Sequence, residues 1–179
     1  MKIILETERL ILREMENLDE EGMFELDSNP KVHKYLGKQP VTSVDQIRAV
    51  IQMIQKQYQT NGVARWAVIK KDSQTFIGWC GLKLVTEEIN NFINYYDLGY
   101  RFIEKYWGQG FATESSNAVL NYGFNHLHIK TIYAMADLKN TASIGVLEKL
   151  GFKSIHEVIF EGENCLWFEL HKVDFKQTL

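Results

Sequence analysis

The strongest constraint on this chain is the segment Trp107-Gly108-Gln109-Gly110-Phe111-Ala112-Thr113-Glu114. It lies between a predicted strand, Tyr95 to Phe102, and a predicted helix, Ala112 to Leu127. Two glycines with small neighbours at such a junction let several backbone N–H groups point the same way, and the helix start adds partial positive charge. This combination is typical of a site for phosphate or pyrophosphate, and it predicts a nucleotide-containing ligand. A Gly-x-Gly turn also serves as a simple tight connection, and that alternative stays open at this point.

Two common nucleotide-binding motifs do not match this segment. A dinucleotide fingerprint needs a third glycine three residues after Gly110, and Thr113 occupies that position. A P-loop needs Gly-Lys-Ser/Thr, which is absent from this turn. The turn therefore indicates an anion site of another kind.

The composition is that of an ordinary globular domain. The 179 residues predict one domain, spanning 1–179, with no repeat and no second domain. A net charge of −3 gives no general attraction for nucleic acid, and no apolar run of membrane-spanning length is present. The charged N-terminus, Met1 to Glu8, does not resemble a signal peptide. Buried, reduced thiols at Cys80 and Cys165 fit the predicted cytoplasmic location.

Hydrophobic periodicity and capping signals predict the element order β-α-α-β-β-β-α-β-α-β-β. Asn17 with Glu20, and Ser43 with Gln46, read as capping boxes of the first two helices. Three successive strands without helices favour antiparallel pairing, whereas the strand–helix–strand unit after Tyr95 favours one parallel pair. The predicted fold class is α/β with α+β character: a mixed sheet with helices on both faces. The predicted strands are Leu10–Leu12, Arg65–Ile69, Phe76–Val85, Tyr95–Phe102, Thr131–Ala136, Phe152–Phe160 and Cys165–Leu170, the last two joined by a turn at Glu161–Asn164.

Several segments, in order and at consistent spacing, give the chain a family resemblance: Thr7–Arg13, Asn29–Leu36, Ile77-Gly78, Leu98–Tyr100, Trp107–Glu114, Asn140–Ser143 and Leu147–Phe152. The chain resembles the GCN5-related N-acetyltransferases (GNAT), and most closely the branch with the ribosomal-protein N-terminal acetyltransferases RimJ and RimL. The resemblance covers nearly the whole chain. Trp107 stands where the broad superfamily often has Gln or Arg, and Trp is usual in this branch.

The resemblance implies the GNAT fold, a mostly antiparallel central sheet with one splayed parallel strand pair. It implies acetyl-CoA as donor and a primary amine as acceptor. The pantetheine arm would lie between Tyr95–Phe102 and Thr131–Ala136 like a missing strand. Main-chain groups near Arg101, Phe102 and Ile103 would bind that arm. The pyrophosphate would be bound by the amides of Gln109, Gly110, Phe111, Ala112 and Thr113.

Asn140 and Ser143 have two compatible interpretations. As a helix N-cap, the Asn140 side chain would accept a hydrogen bond from the third helical residue, which is worth ~1 kcal/mol. In the family interpretation the Asn140 amide contacts the cofactor and Ser143 lies near the thioester sulfur. Ser143 would then donate a proton, directly or through water, to the departing thiolate.

The acceptor amine must be neutral to attack the thioester. Neutralising a lysine at pH 7 costs roughly 4–5 kcal/mol, whereas an α-amine of pKa ~7.7–8.0 costs only ~1 kcal/mol. The candidate bases are Asp97, on the splayed strand, and Glu161 or Glu163, in the late hairpin. Glu114 lies in the first turn of a helix, where favourable interaction with the helix dipole accounts for it. Direct attack in a ternary complex needs no covalent enzyme intermediate.

The acceptor itself stays open between a protein N-terminus and a small amine such as a polyamine, an amino acid or an antibiotic. A non-catalytic acyl-CoA-binding protein is the alternative from another functional class. His126 and His128 lack a third ligand in the sequence, so no metal site is predicted. His33, His156 and His171 are isolated. A homodimer is compatible with the edge strands of this fold.

Overall fold

The computed structural model of the protein describes residues 2–37 and 39–176, so Met1 lies outside the described residues. Within them, no helix is both long and apolar enough to cross a membrane. The strands are β1 Ile3–Glu6, β2 Leu10–Arg13, β3 Arg65–Lys70, β4 Thr75–Val85, β5 Tyr95–Phe102, β6 Thr131–Asp137, β7 Lys153–Phe160 and β8 Glu163–His171. The helices are α1 Glu20–Asp27, α2 Val44–Asn61, α3 Phe111–Asn125 and α4 Thr141–Lys149, with short 3-10 turns at Asn17–Asp19, Val32–Tyr35 and Glu104–Tyr106.

The strands form one mixed sheet in the order β1-β2-β3-β4-β5-β6-β8-β7. All neighbouring strands are antiparallel except β5 and β6, which run parallel. Only two residue pairs join these strands, Tyr96 with Ile132 and Asp97 with Tyr133. Beyond the second pair both strands continue, but they no longer pair with each other. They therefore part and leave a gap between them.

Helices cover both faces of the sheet, as predicted. α3 and α4 cover one face, where Phe124 and Leu147 share a core with Leu98 of β5. α1 and α2 cover the other, where Leu26 and Ile51 are buried. Burying one such side chain stabilises the fold by about 1.5–3 kcal/mol. We call these surfaces of the sheet the α3 face and the α1 face. The predicted GNAT fold class is confirmed.

Two local expectations at the N-terminus were wrong. β1 was not predicted, because its residues are exposed or half-buried at the sheet edge and form no clear apolar run. The first capping box consists of Glu16 and Asp19, not of Asn17 and Glu20. Asp19 is fixed in this role because its buried carboxylate also pairs with Arg13, at 2.6 Å between Nη2 and Oδ1.

The other local signals are confirmed. Ser43 and Gln46 form the capping box of α2, and Gly62 follows the helix as its left-handed C-cap residue. Asn140 caps α4 by accepting a hydrogen bond from the Ser143 N–H at 3.2 Å. Both cysteines are buried and free.

Candidate functional site: a splayed strand pair and an amide loop

The glycine turn after β5 forms a loop of open N–H groups. Gly108 and Gly110 have left-handed backbone angles, with φ of +71° and +83°, which place the chain at the first turn of α3. The N–H groups of the first helical turn have no intrahelical partner. The backbone N–H groups of Gln109–Thr113 donate no hydrogen bond to another described residue. These groups, with the positive end of the helix behind them, form an anion site of the predicted kind.

An arginine from the N-terminal hairpin holds this loop. The Arg9 guanidinium lies 4.5 Å from the ring centre of Phe111 and donates from Nη1 to the Gln109 carbonyl at 3.0 Å. It also pairs with Glu114, at 2.6 Å between Nη2 and Oε2. Burial raises the pKa of the Glu114 carboxyl, but hydrogen bonds from Thr7 and Arg9 outweigh that effect and hold the pKa below its ordinary value. Glu114 therefore anchors Arg9 as well as facing the helix dipole.

The main chain of β5 faces the gap at alternate residues. The Ile103 N–H donates to the Ile77 carbonyl at 3.0 Å, so residue 103 turns its N–H towards β4. Because hydrogen-bonding direction alternates along a strand, Arg101 also turns towards β4, whereas Tyr100 and Phe102 turn towards the gap. The Phe102 carbonyl already accepts from the Trp107 indole N–H at 2.7 Å. Of the three residues predicted to bind the pantetheine arm, Phe102 faces the gap with its main chain.

Ser143 lies beside the gap on the α3 face. The Tyr100 hydroxyl is 2.9 Å from the Ser143 Oγ and donates to the Ser143 carbonyl at 3.1 Å. Burial raises the pKa of Tyr100 despite the opposing hydrogen bond with Ser143, so this phenol stays protonated. Asn140 fixes the same turn from the other side, through its cap on the Ser143 N–H. The predicted Asn140–Ser143 pair is thus joined to β5 by Tyr100, which the sequence had not indicated.

Asp97 lies on the opposite face of the sheet from Ser143. Its carboxylate pairs with the Arg65 guanidinium, which also donates to the Asp97 carbonyl oxygen at 2.5 Å. Arg65 reaches Asp97 across Gly99, where a β-carbon would come within 2.6 Å of the guanidinium. Burial raises the pKa of the Asp97 carboxyl, while Arg65 opposes this shift.

A second ion pair continues this row on the α1 face. Arg101 donates from Nη1 to the Asp27 Oδ1 at 2.5 Å. The guanidinium groups of Arg65 and Arg101 lie 5.6 and 5.1 Å from the ring centre of Trp79. Stacking of this kind is favourable for planar cations on an indole. The α1 face therefore presents an ordered row of two carboxylates and two guanidiniums beside the splayed strand.

The late hairpin approaches the α1–α2 connection. Glu161 lies at the tip between β7 and β8, and Glu163 begins β8 opposite Phe160. A β-carbon at Gly37 would lie 3.9 Å from the Glu161 carboxylate. Since β8 also pairs with β6, this tip lies at the splayed end of β6. The structure thus brings Glu161 close to Gly37 in the α1–α2 connection, while Ser143 lies on the α3 side.

The sequence analysis did not identify five residues of the site: Arg9, Asp27, Arg65, Trp79 and Tyr100. Each acts through a partner that is distant in the chain, so no local spacing reveals it. Arg9 and Tyr100 belong to segments that carry the family resemblance, Thr7–Arg13 and Leu98–Tyr100, and this was the available signal for them. The described residues contain no cluster of three side chains able to hold a metal ion.

A parted parallel strand pair followed by an amide loop defines the acetyltransferase class of fold. The sequence matches the family profile of the acetyltransferase (GNAT) domain over residues 9–153. It is 37% identical over 149 residues to the uncharacterized N-acetyltransferase p20 of Bacillus licheniformis, covering 83% of this chain and 82% of that protein. It is 34% identical over 150 residues to the uncharacterized N-acetyltransferase YoaA of Bacillus subtilis (strain 168), covering 84% and 82%. The chain belongs to the GNAT family and is an acyltransferase, and the acyl donor of this family is acetyl-CoA.

Solved structures share the fold at low sequence identity. The spermidine N-acetyltransferase of Vibrio cholerae, in complex with CoA and spermine, has a TM-score of 0.76 at 21% identity, covering 94% of this chain and 98% of that one. The ribosomal-protein-S5-alanine acetyltransferase of Vibrio fischeri has a TM-score of 0.71 at 18% identity, covering 96% and 98%. Their similarity to this chain concerns the fold.

Proposed function

We propose that the protein transfers the acetyl group of acetyl-CoA to the α-amine of a protein N-terminus, by direct attack in a ternary complex. The observation that carries this proposal is the gap between β5 and β6, which leads towards the open N–H groups of Gln109–Thr113. In this proposal the pantetheine arm lies in the gap as an added strand and the pyrophosphate is bound by the loop. This acceptor agrees with the resemblance to the RimJ/RimL branch.

Ser143 is the proposed proton donor to the departing thiolate. Its hydroxyl lies beside the gap and is hydrogen-bonded to the protonated phenol of Tyr100. Tyr100 therefore orients Ser143 through contacts with both its carbonyl and its hydroxyl oxygen. Asn140 holds the backbone of the same turn and is proposed to contact the pantetheine amide. Positioning of amine and thioester supplies much of the rate.

The three carboxylates predicted as bases have distinct environments. Asp97 is held in an ion pair, and removing that charge by protonation would leave Arg65 without its partner. We therefore assign Asp97 to positioning the β5 backbone where the gap begins. Glu161 and Glu163 lie in the late hairpin, and we assign them to attracting the acceptor ammonium.

A small amine is the second candidate acceptor. The shared fold with a spermidine N-acetyltransferase favours it. The charges on the α1 face favour a protein N-terminus as acceptor, because Asp27 and Asp97 are each already paired with an arginine. A polyamine carries several cationic groups, and its recognition needs carboxylates that are not neutralised in this way.

An acceptor panel tests the proposal. The enzyme and acetyl-CoA are mixed with peptides that have a free N-terminus, the same peptides N-terminally blocked but carrying an internal lysine, spermidine, and free amino acids. Thiol release and product mass are measured. We expect the free N-terminal peptides to raise thiol release most and to gain one acetyl group at the α-amine. Preferential acetylation of spermidine would reassign the acceptor, and thiol release that no amine raises would contradict the proposal.

The cellular setting and the oligomeric state belong to the same proposal. A cytoplasmic enzyme would meet protein N-termini as they are synthesised and would keep Cys80 and Cys165 reduced. The homodimer stays a prediction. It is supported by the exposed Ile155 and Ile159 on the edge strand β7, and light scattering of the purified protein measures it.

A further inference from the structure

The gap between the parted strands opens on the α1 face, between residues 97–101 of β5 and residues 133–137 of β6. We call this opening the mouth of the gap. The helices α1 and α2 pack over β3 and β4, and among the described residues no apolar side chain of β5, β6 or β8 belongs to their core. The other side of the gap is occupied by Ser143 of α4, which is bonded to Tyr100. An acceptor therefore enters the gap through the mouth.

One side of the mouth is formed by two residues of β6. The last pair between the parted strands joins Asp97 to Tyr133, so Tyr133 stands where the gap begins. Met135 lies two residues further along β6, and its side chain therefore projects from the same face, beside the unpaired stretch. Both side chains pack against a buried cluster that contains Tyr95 and Trp167, and both keep part of their surface exposed. Tyr95 precedes Asp97 by two residues, which places this cluster on the α1 face.

The other side of the mouth has no side chain of its own opposite Met135. Continuing the parallel register by two residues sets Gly99 of β5 against Met135 across the gap. The Arg65 guanidinium lies over Gly99, where a β-carbon would come within 2.6 Å of it. The same guanidinium lies 5.6 Å from the ring centre of Trp79. The mouth is thus bounded by an apolar wall on β6 and by a paired, stacked guanidinium on β5.

The ionisable groups around the mouth are already paired or uncharged. Asp97 forms its ion pair with Arg65. Asp137, the next residue on the same face of β6, accepts a hydrogen bond from the Lys139 N–H at 2.7 Å. Burial raises the pKa of Tyr133, so its phenol stays uncharged at neutral pH. A charged side chain placed against this wall would lose hydration without gaining a partner, which is unfavourable.

We propose that Met135 and Tyr133 contact the side chain of the acceptor's first residue and select an apolar first residue over a charged one. This inference rests on the proposed function and specifies the class of protein N-terminus. The α-amine must enter the gap to reach the thioester, and the side chain of the first residue begins on the neighbouring carbon, so it lies at the mouth. An apolar side chain there buries the exposed surface of both residues, which is favourable. Methionine adapts to apolar partners of different shape, so the selection concerns a class of residues.

The first test compares four acceptor peptides that differ only in their first residue: leucine, glycine, glutamate or arginine. Thiol release gives kcat/KM for each peptide, and product mass spectrometry locates the acetyl group at the α-amine. For wild type we expect kcat/KM for the leucine peptide to exceed the values for the glutamate and arginine peptides by about tenfold or more, the size typical of one side chain in an apolar pocket. The glycine peptide should lie between them.

Variants of Met135 test whether this residue makes the selection. Met135→Ala should lower kcat/KM for the leucine peptide about tenfold and for the glycine peptide less than about twofold, because glycine has no side chain to contact the wall. A general defect in folding or in acetyl-CoA binding would lower all four values together, so the ratio of leucine to glycine is the diagnostic quantity. Met135→Glu should place the arginine peptide above the leucine peptide, since it adds an unpaired carboxylate to the wall.

Met53 supplies the matched controls. It is an exposed methionine on α2, and Met53→Ala and Met53→Glu should leave the order of the four peptides as in wild type. Met135→Gln, which keeps the length of the side chain, replaces Met135→Ala if that variant does not fold. Equal losses for all four peptides in the Met135 variants, or a wild type without preference for leucine, would overturn this inference and leave the proposed function intact. If wild type binds acetyl-CoA but acetylates no peptide, both fail.

Discussion

Arg9 and Glu114, 105 residues apart in the sequence, form an ion pair with 2.6 Å between Nη2 and Oε2. The pair joins the N-terminal hairpin to the first turn of α3. The same guanidinium donates to the Gln109 carbonyl, so it fixes both ends of the amide loop. The side chain of Glu114 is mostly buried, which makes this contact more specific than an ordinary surface ion pair.

Removing the Arg9 side chain should weaken acetyl-CoA binding more than it weakens the fold. In Arg9→Gln the Gln109 carbonyl loses its donor and the anion site loses its neighbouring cation. We expect the Kd for acetyl-CoA to rise about tenfold, equivalent to ~1.4 kcal/mol. Calorimetry measures this. Arg48→Gln is the control, because Arg48 forms ion pairs with Glu20 and Asp45 on the surface of α2. Equal effects from the two variants would contradict a specific role for Arg9.

The Glu114 carboxyl should contribute to stability only where it is ionised. Its pKa in the folded protein is held below the ordinary value of about 4.5. For a lowered carboxyl pKa, the stabilisation is complete above the unfolded value and is lost as pH falls through the folded value. Wild type should therefore lose stability more steeply than Glu114→Gln below about pH 4.5, and the two denaturant-derived curves should converge in acid. Parallel curves from pH 7 to pH 3 would mean that Glu114 is not stabilised as the carboxylate.

Gly110 and Gly62 form a matched pair of left-handed glycines, with φ of +83° and +72°. Alanine at either position adopts an unfavourable backbone region at a cost of about 1–2 kcal/mol. At Gly62 the added β-carbon meets no described atom within 4 Å, whereas at Gly110 it lies 3.4 Å from the Arg9 Nη2. We expect similar losses of thermal stability from both variants. Only Gly110→Ala should weaken acetyl-CoA binding, by tenfold or more in calorimetry. Unchanged affinity in Gly110→Ala would reject the amide loop as the pyrophosphate site.

The parts of the site that were predictable depend on local chain geometry. The glycine turn and the Asn140 cap each involve residues within a few positions, so spacing alone indicated them. The splayed pair followed from the resemblance, since nothing in the residues of β6 alone shows where a ladder stops. Contacts between distant residues were not predictable. Arg65 meets Asp97 across 32 positions, and Tyr100 meets Ser143 across 43, because the order of strands brings them together.

His33 shows the same limit in another form. In the sequence it is an isolated histidine with ordinary neighbours. In the structure it is buried beside Asp27 and Arg101, which come from a helix and a strand that only the fold places together. This environment lowers the pKa of its imidazole, mainly through burial. A residue with a shifted pKa can be recognised as such only after its burial and the surrounding charges are known.

The hydrogen bond between Tyr100 and Ser143 predicts how their variants combine. Ser143→Ala removes the proposed proton donor and should lower kcat by about 100-fold with little change in the KM for acetyl-CoA. Tyr100→Phe leaves the Ser143 hydroxyl in place but unoriented, so a smaller loss is expected. Since both act in one hydrogen-bonded unit, the double variant should be no slower than Ser143→Ala alone.

Steady-state rates of thiol release for the three variants measure this relationship. Ser154→Ala is the control, because Ser154 is exposed on β7. Multiplicative losses in the double variant would show that Tyr100 acts independently of Ser143. A Ser143→Ala enzyme with the kcat of wild type would remove Ser143 from proton donation. The thiolate would then take its proton from water, and Tyr100 would keep only a role in packing α4 against β5.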